Sequence, residues 1–283
     1  MSGHGSQGQY GEMVEALELI DAWDSEAAVV VVGRKGELAR RGPVSKQGRW
    51  ASVTKLFTAY AVFIAWEEGL LSPDDPAGPE GSTVRHLLAH ASGLPLEGNQ
   101  PIAGPAQKRV YSNSGYDLLA DVIGQRTATG FESFLRGRVL DPLQVNATLL
   151  ERPSQGLVGD ALGIARLAID IFDPRLLDPD TISDASQAVF PGLDGVLPGV
   201  GRFQPLDWGL GFEIRSNKWP HWTGSSNSPA TIGHFGGSGS FLWVDPEAGI
   251  ALACLSDREF GGWAMKAWPQ LSDAVLGELG GVR

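Results

Sequence analysis

Apolar and polar positions alternate in two rhythms along this chain, and the change of rhythm divides it. Near the N-terminus, residues 11–23 carry Met13, Leu17, Leu19 and Ile20 at helical spacing. Ala27–Val32 is then a β-branched run, with Gly33-Arg-Lys-Gly36 as a turn and Glu37–Arg41 as a return strand, which predicts a hairpin. Trp50–Leu71 is the longest helical signal: Leu56, Phe57, Tyr60, Ala61, Phe63 and Ile64 recur three and four apart. The helix should open near Ser52 and close at Gly69, and its nearly all-round apolarity predicts burial. Ser72–Pro79 is a Pro/Asp-rich loop. Short helical patterns follow at Val84–His90, Gly115–Thr127, Phe131–Leu140 and Asp160–Phe172, and Pro191–Pro205 is a Gly/Pro-rich return connection. Beyond Trp208 the rhythm turns strand-like at Gly211–Ser216, Thr231–His234, Ser240–Val244 and Ile250–Ser256, with Asp245–Gly249 as a hairpin turn. Trp263–Leu279 predicts a closing helix.

Strands therefore lie near both chain ends, with helices between them and no βαβ alternation. The expected fold is α/β in content, of the α+β kind: an antiparallel sheet built from both termini, flanked by helices, with a mostly helical insertion. The expected division is 11–71 with 206–283 as the sheet domain and 72–205 as the insertion, the active site lying in the cleft between them.

Composition narrows the function. At 283 residues the chain can bury a large core without disulfides or a structural metal. A formal net charge of −11 argues against a nucleic-acid partner and against an anionic membrane surface. The single cysteine, Cys254, sits in the apolar run Gly249–Leu255 and reads as a buried strand thiol. Residues 1–10 read as a disordered leader without a signal-peptide pattern, and no segment reaches the ~20 apolar residues of a membrane span. The default compartment is cytoplasmic.

Three short motifs carry candidate chemistry. Ser52-Val-Thr-Lys55 at a helix start puts a hydroxyl and an amine on one face, where burial and the helix N-terminus should depress the lysine pKa so that it can take the serine proton. Tyr111-Ser-Asn113 in an extended segment points a phenol and a carboxamide the same way; a tyrosine beside a cationic lysine should have a lowered pKa and serve as a general base. His234-Phe-Gly236-Gly237 places glycines in a strand interior, where a substrate can lie along the edge and the Gly237 and Ser52 N–H groups can form an oxyanion hole. Each motif alone also has an ordinary structural reading: Ser52 or Asn113 as a helix cap, His234 as a hydrogen-bonded strand histidine.

In this order, Ser-x-x-Lys, Tyr-x-Asn and His-x-Gly resemble the three motifs of penicillin-binding proteins and class C β-lactamases. Val84-Arg-His-Leu-Leu-Ala-His-Ala-Ser-Gly-Leu-Pro95 and Trp208-Gly-Leu-Gly-Phe212 also resemble segments of that family, so the likeness runs from about Trp50 to Asp257. It implies that Ser52 is the acylated nucleophile, Lys55 its proton acceptor, Tyr111 the acid and base towards leaving group and water, and His234 the group that tunes Tyr111. It also implies that Asn113 contacts the acyl-side amide, that Phe235, Gly236 and Gly237 line the substrate edge, and that Arg85 and His90 are scaffold. Neither a metal nor a cofactor is implied.

Two substitutions depart from the family pattern. His234 stands where many β-lactamases have Lys, and Phe235 where Thr or Ser would bind a carboxylate. The chain is also short for the family. These differences keep acyl transfer and weaken carboxylate recognition. The expected activity is therefore a carboxylesterase on small or apolar acyl esters, a small-molecule ester or amide being the partner. A β-lactamase or D-amino-acid peptidase of the same family, and a non-catalytic binding protein, remain the alternatives. An α/β-hydrolase lacks its Gly-x-Ser-x-Gly elbow here, and a zinc hydrolase lacks the Glu of His-Glu-x-x-His.

Overall fold

The computed structural model describes residues 14–280. Part of the first expected helix, and the leader expected at 1–10, lie outside these residues. The remainder of that helix is a 3₁₀ helix, Glu15–Ala22. The strands in chain order are β1 (Ala27–Gly33), β2 (Gly36–Arg41), β3 (Gly48–Arg49), β4 (Ala147–Leu149), β5 (Leu157–Gly159), β6 (Gly195–Leu197), β7 (Gly201–Phe203), β8 (Glu213–Ile214), β9 (Ile232–Gly236), β10 (Ser240–Asp245) and β11 (Ile250–Ser256). The helices are α1 (Thr54–Glu67), α2 (Val84–Leu88), α3 (Asn113–Arg126), α4 (Gly130–Leu135), α5 (Ala161–Phe172), α6 (Pro179–Ala185) and α7 (Ala264–Leu279).

The main sheet has the order β2-β1-β11-β10-β9-β8, and every pairing is antiparallel. Its centre joins the two ends of the chain: Val30 stands opposite Ala253 and Val32 opposite Ala251. Both faces of this centre are covered, so β1 and β11 are buried throughout. Alternation then distributes side chains between two cores. Ala28, Val30 and Val32 join the larger core with α1 and α5, while Ala27, Val29 and Val31 join the smaller one, which is rich in tryptophan and packs under α7. Cys254 faces that second core, where burial raises its thiol pKa.

Helix α1 is preceded by a 3₁₀ turn, Ala51–Val53, and is followed by Gly69 at φ +71, a conformation that glycine adopts without Cβ strain. Helix α5, within the stretch 72–205, packs against β1, β10 and β11. Three features carried no sequence expectation: a small sheet of order β3-β5-β4, the hairpin β6–β7 inside the Pro191–Pro205 connection, and α6. No helix among the described residues is long and apolar enough to cross a membrane.

Candidate active site

Ser52 lies in the 3₁₀ turn at the mouth of a cavity of about 270 Å³. One turn on, Lys55 is fully buried at the start of α1, with Nζ 3.1 Å from Ser52 Oγ. The same Nζ is 2.6 Å from Asn113 Oδ1 and 2.8 Å from the Ser154 carbonyl oxygen. Burial brings the Lys55 pKa down to about 7, against the opposing pull of Asp117 and Glu97. In the neutral amine two N–H bonds must serve two acceptors that cannot donate, the amide oxygen and the backbone carbonyl. The lone pair is then left facing the one neighbour that can donate, the Ser52 hydroxyl.

The amide of Asn113 is oriented by its other end, where Nδ2 donates to Glu97 Oε1 at 2.8 Å. A carboxylate only accepts, so the nitrogen must face Glu97 and the oxygen Lys55. Both ends of this side chain are therefore engaged inside the protein, and Asn113 also lines the cavity.

Tyr111 and His234 form the opposite wall. Tyr111 Oη is 3.2 Å from His234 Nε2, and His234 Nδ1 is 2.7 Å from the Phe235 carbonyl oxygen. That carbonyl can only accept, so Nδ1 carries the proton and Nε2 accepts from the phenol. Burial pushes the His234 pKa down to about 3, so the imidazole is neutral. The expected lowering of the Tyr111 pKa is corrected here: burial raises it, with a smaller opposite pull from the Ser52 hydroxyl. Lys55 does stand over the Tyr111 ring, 4.9 Å from its centroid. With its own pKa near 7, however, it supplies little positive charge above neutrality.

Two buried residues fix the Tyr111 segment. His90 Nδ1 accepts from the Ser112 N–H at 3.1 Å, and its ring lies 4.5 Å from that of Tyr111. Arg109 donates to the carbonyls of Ala89, Val189, Phe190 and Leu206, tying three loops to the residues just before Tyr111. Trp208 closes the box, edge-on to His90 and to His234.

Strand β9 reaches the Ser52 turn because of Gly236. A Cβ there would stand 2.3 Å from the Trp50 carbonyl oxygen, which itself accepts from Ser240 Oγ at 2.6 Å. Gly237, by contrast, has nothing within 4 Å of its Cβ direction and lines the cavity. Phe235 also lines the cavity, but it sends most of its ring to the α7 face, against Phe260 at 4.4 Å and Trp222 at 5.6 Å. The remaining walls are apolar: Leu96, Leu197, Pro198, Gly199 and Phe260. No lining residue is Lys or Arg.

The structure thus brings Ser52, Tyr111, Asn113, His234, Phe235 and Gly237 to the lining of one cavity, with Lys55 buried within hydrogen-bond distance of Ser52 and Gly236 packed against the Trp50 carbonyl. Sequence reasoning missed Glu97, Arg152, Asp117 and Ser154, whose separations along the chain follow no periodicity; only the proximity of Glu97 to the Gly93-Leu-Pro95 segment was a signal. It also missed the buried pair Glu213–Lys218, although Glu213 stands opposite Gly233, next to His234. Among the described residues no group of three or more His, Cys, Asp or Glu side chains could hold a metal ion.

A Ser/Lys pair at the start of α1 thus faces a Tyr/His pair beside an antiparallel sheet edge, and comparison with known proteins identifies the family to which the chain belongs. The sequence model of the Beta-lactamase family matches residues 21–276, and the chain belongs to that family. It is 30% identical over 182 residues to penicillin-binding protein 4* of Bacillus subtilis (strain 168), a match covering 52% of this chain and 39% of that protein. The β-lactamase of Escherichia coli (strain K12) is 28% identical over 146 residues, covering 41% of this chain and 39% of that protein. The chain thus spans about two fifths of the length of these curated relatives. A crystal structure of a β-lactamase from Mycobacterium bovis superposes with a TM-score of 0.92 at 46% identity, over 93% of this chain and 99% of that one. EstCE1, described as a hydrolase with promiscuous acyltransferase activity, shares the fold with a TM-score of 0.73 at 18% identity, over 93% of this chain and 97% of that one.

Proposed function

We propose that this β-lactamase-family hydrolase is a serine carboxylesterase that works through an acyl-enzyme on Ser52 and acts on small or apolar acyl esters. The observation that carries the reading is the placement of Lys55 Nζ, buried and 3.1 Å from Ser52 Oγ, with its two other neighbours being acceptors; in the neutral amine the lone pair is then free to face Ser52. In acylation the Ser52 proton passes to Lys55 Nζ as Oγ bonds to the ester carbon. The N–H groups of Ser52 and Gly237 receive the oxyanion. When the carbon–oxygen bond of the leaving group breaks, the alkoxide takes the proton of Tyr111, which its raised pKa keeps in place. Lys55 then returns a proton to Tyr111. In deacylation water replaces the alcohol and gives a proton to the Tyr111–Lys55 pair as its oxygen bonds to the acyl carbon; the bond from that carbon to Ser52 Oγ then breaks, Lys55 returns the proton to Oγ, and the acid leaves. His234 accepts the phenol hydrogen bond and holds Tyr111 at the cavity.

Ester preference over lactam preference rests on the walls. A bicyclic lactam carries a carboxylate, and the cavity offers neither a cation nor a hydroxyl at Phe235 to receive it. Leu96, Leu197, Pro198 and Phe260 suit an acyl chain instead. A β-lactamase is the second reading, favoured by the 46% identical protein described by that name.

The test is steady-state hydrolysis of p-nitrophenyl butyrate beside nitrocefin, with wild type and Ser52→Ala. Serine-dependent ester turnover at least tenfold faster than lactam turnover is the expected result. Equal rates would restore the lactamase reading, and no serine-dependent turnover of either would remove the hydrolase reading.

A further inference from the structure

Behind Lys55 lies a closed ring of polar contacts that the chemistry above does not use. Arg152 donates to Glu97 Oε2 at 2.5 Å and, through Nε, to Asp117 Oδ2 at 2.7 Å, and its Nη2 contacts the same oxygen. Asp117 Oδ1 accepts from the Ser154 N–H at 3.1 Å. The ring thus runs from Lys55 through Asn113, Glu97, Arg152 and Asp117 to Ser154, and back to Lys55 through the Ser154 carbonyl.

We propose that Glu97, Arg152 and Asp117 are positioning residues that aim Lys55 at Ser52: they hold the two acceptors, the Asn113 amide oxygen and the Ser154 carbonyl, that occupy its N–H bonds. The inference rests on the acyl-enzyme reading of Ser52. Its logic is donor against acceptor. Glu97 can only accept, which forces Asn113 to present oxygen to the lysine. Arg152 can only donate, and its planar fork fixes both carboxylates at once. Were Asn113 to turn, its NH₂ would face Nζ and compete with Ser52 for the lone pair. The same groups act on Lys55 through space: Asp117 and Glu97 favour its charged form, and Arg152 disfavours it. The other groups facing Lys55 are Ser52, Tyr111 and Tyr116, whose ring centroids lie 4.9 and 5.6 Å from Nζ, and the neutral, buried His90 and His234.

The carboxylates and the arginine therefore pull in opposite directions, which separates this role from a merely structural one. The measurement is the pH dependence of the rate at which a fluorophosphonate labels Ser52, read by intact mass, in wild type, Glu97→Gln, Asp117→Asn and Arg152→Met. Glu97→Gln and Asp117→Asn should move the acidic limb of the profile down, and Arg152→Met should move it up, each by about 0.5 pH unit or more. Glu97→Gln should also lower the plateau rate about tenfold, because a glutamine can donate as well as accept and no longer fixes the amide. Glu97 is half-exposed at the rim, so this variant keeps the test alive if Arg152→Met fails to fold. Wild type that labels, with limbs unmoved or all moved the same way, would overturn the positioning role alone. Wild type that does not label at Ser52 would overturn the acyl-enzyme reading and this inference with it.

Discussion

Lys55 is fully buried, and in the proposed mechanism its proton sets the pH response. Only the neutral amine can accept from Ser52, so activity should rise as pH increases through the lysine pKa, about 7. His234, at about 3, and Tyr111, raised by burial, add no titration between pH 5 and 9. The kcat/KM profile for p-nitrophenyl butyrate should accordingly show one acidic limb near pH 7 and no basic limb below pH 9; a limb near pH 5, or none, would mean that another group takes the proton. The lysine was legible from sequence because its burial follows from the apolar helix around it. The tyrosine was misread for the complementary reason. A neighbouring cation can be inferred from a motif, but the desolvation that neutralises that cation and lifts the phenol depends on Trp208, His90 and Tyr116 closing around them, and these come from three distant segments.

At the scale of elements, the site depends on how closely strand β9 approaches the turn before α1, and two adjacent glycines test this. Gly236→Ala would force a methyl group to within 2.3 Å of the Trp50 carbonyl, so β9 or the Ser52 turn must shift. A shift of about 1 Å at the reacting atoms is worth a factor of ~10² in rate. Gly237→Ala meets nothing within 4 Å, so the fold should be kept and only the cavity narrowed. Butyrate ester turnover should thus fall at least tenfold further in Gly236→Ala than in Gly237→Ala, and a reversed order would show that strand approach does not limit the site. Long elements were legible for equally local reasons: β1 contains four consecutive valines, and α1 is apolar on nearly every side along its fourteen residues. The strands β3, β4 and β5, two or three residues each, are too short to show any period and are stabilised by their pairing with one another. Helix α6 did carry a readable start, Asp178 capping the Asp180 N–H with Pro179 at the first position, but its seven residues gave no amphipathic pattern to support it.

At the scale of the molecule, both ends of the chain make one sheet and the middle is folded against it. That arrangement was foreseeable from the placement of strand-like runs near both ends. The position of α5 on the sheet was not, because nothing in a helix's own period says which neighbour it will cover. The central pairing of β1 with β11, Val30 opposite Ala253, has a consequence for how the protein is made. A ribosome delivers Ser52, Lys55 and Tyr111 well before Gly237 and β11, the partner strand of β1. Until then β1 has an open edge and valines bare on one face, so the nascent chain must wait, unable to assemble either its sheet or its oxyanion hole. A ribosome-stalled chain ending near residue 230 should therefore be digested by protease at least tenfold faster than the released protein. Equal resistance would mean that the N-terminal portion folds without its last strands.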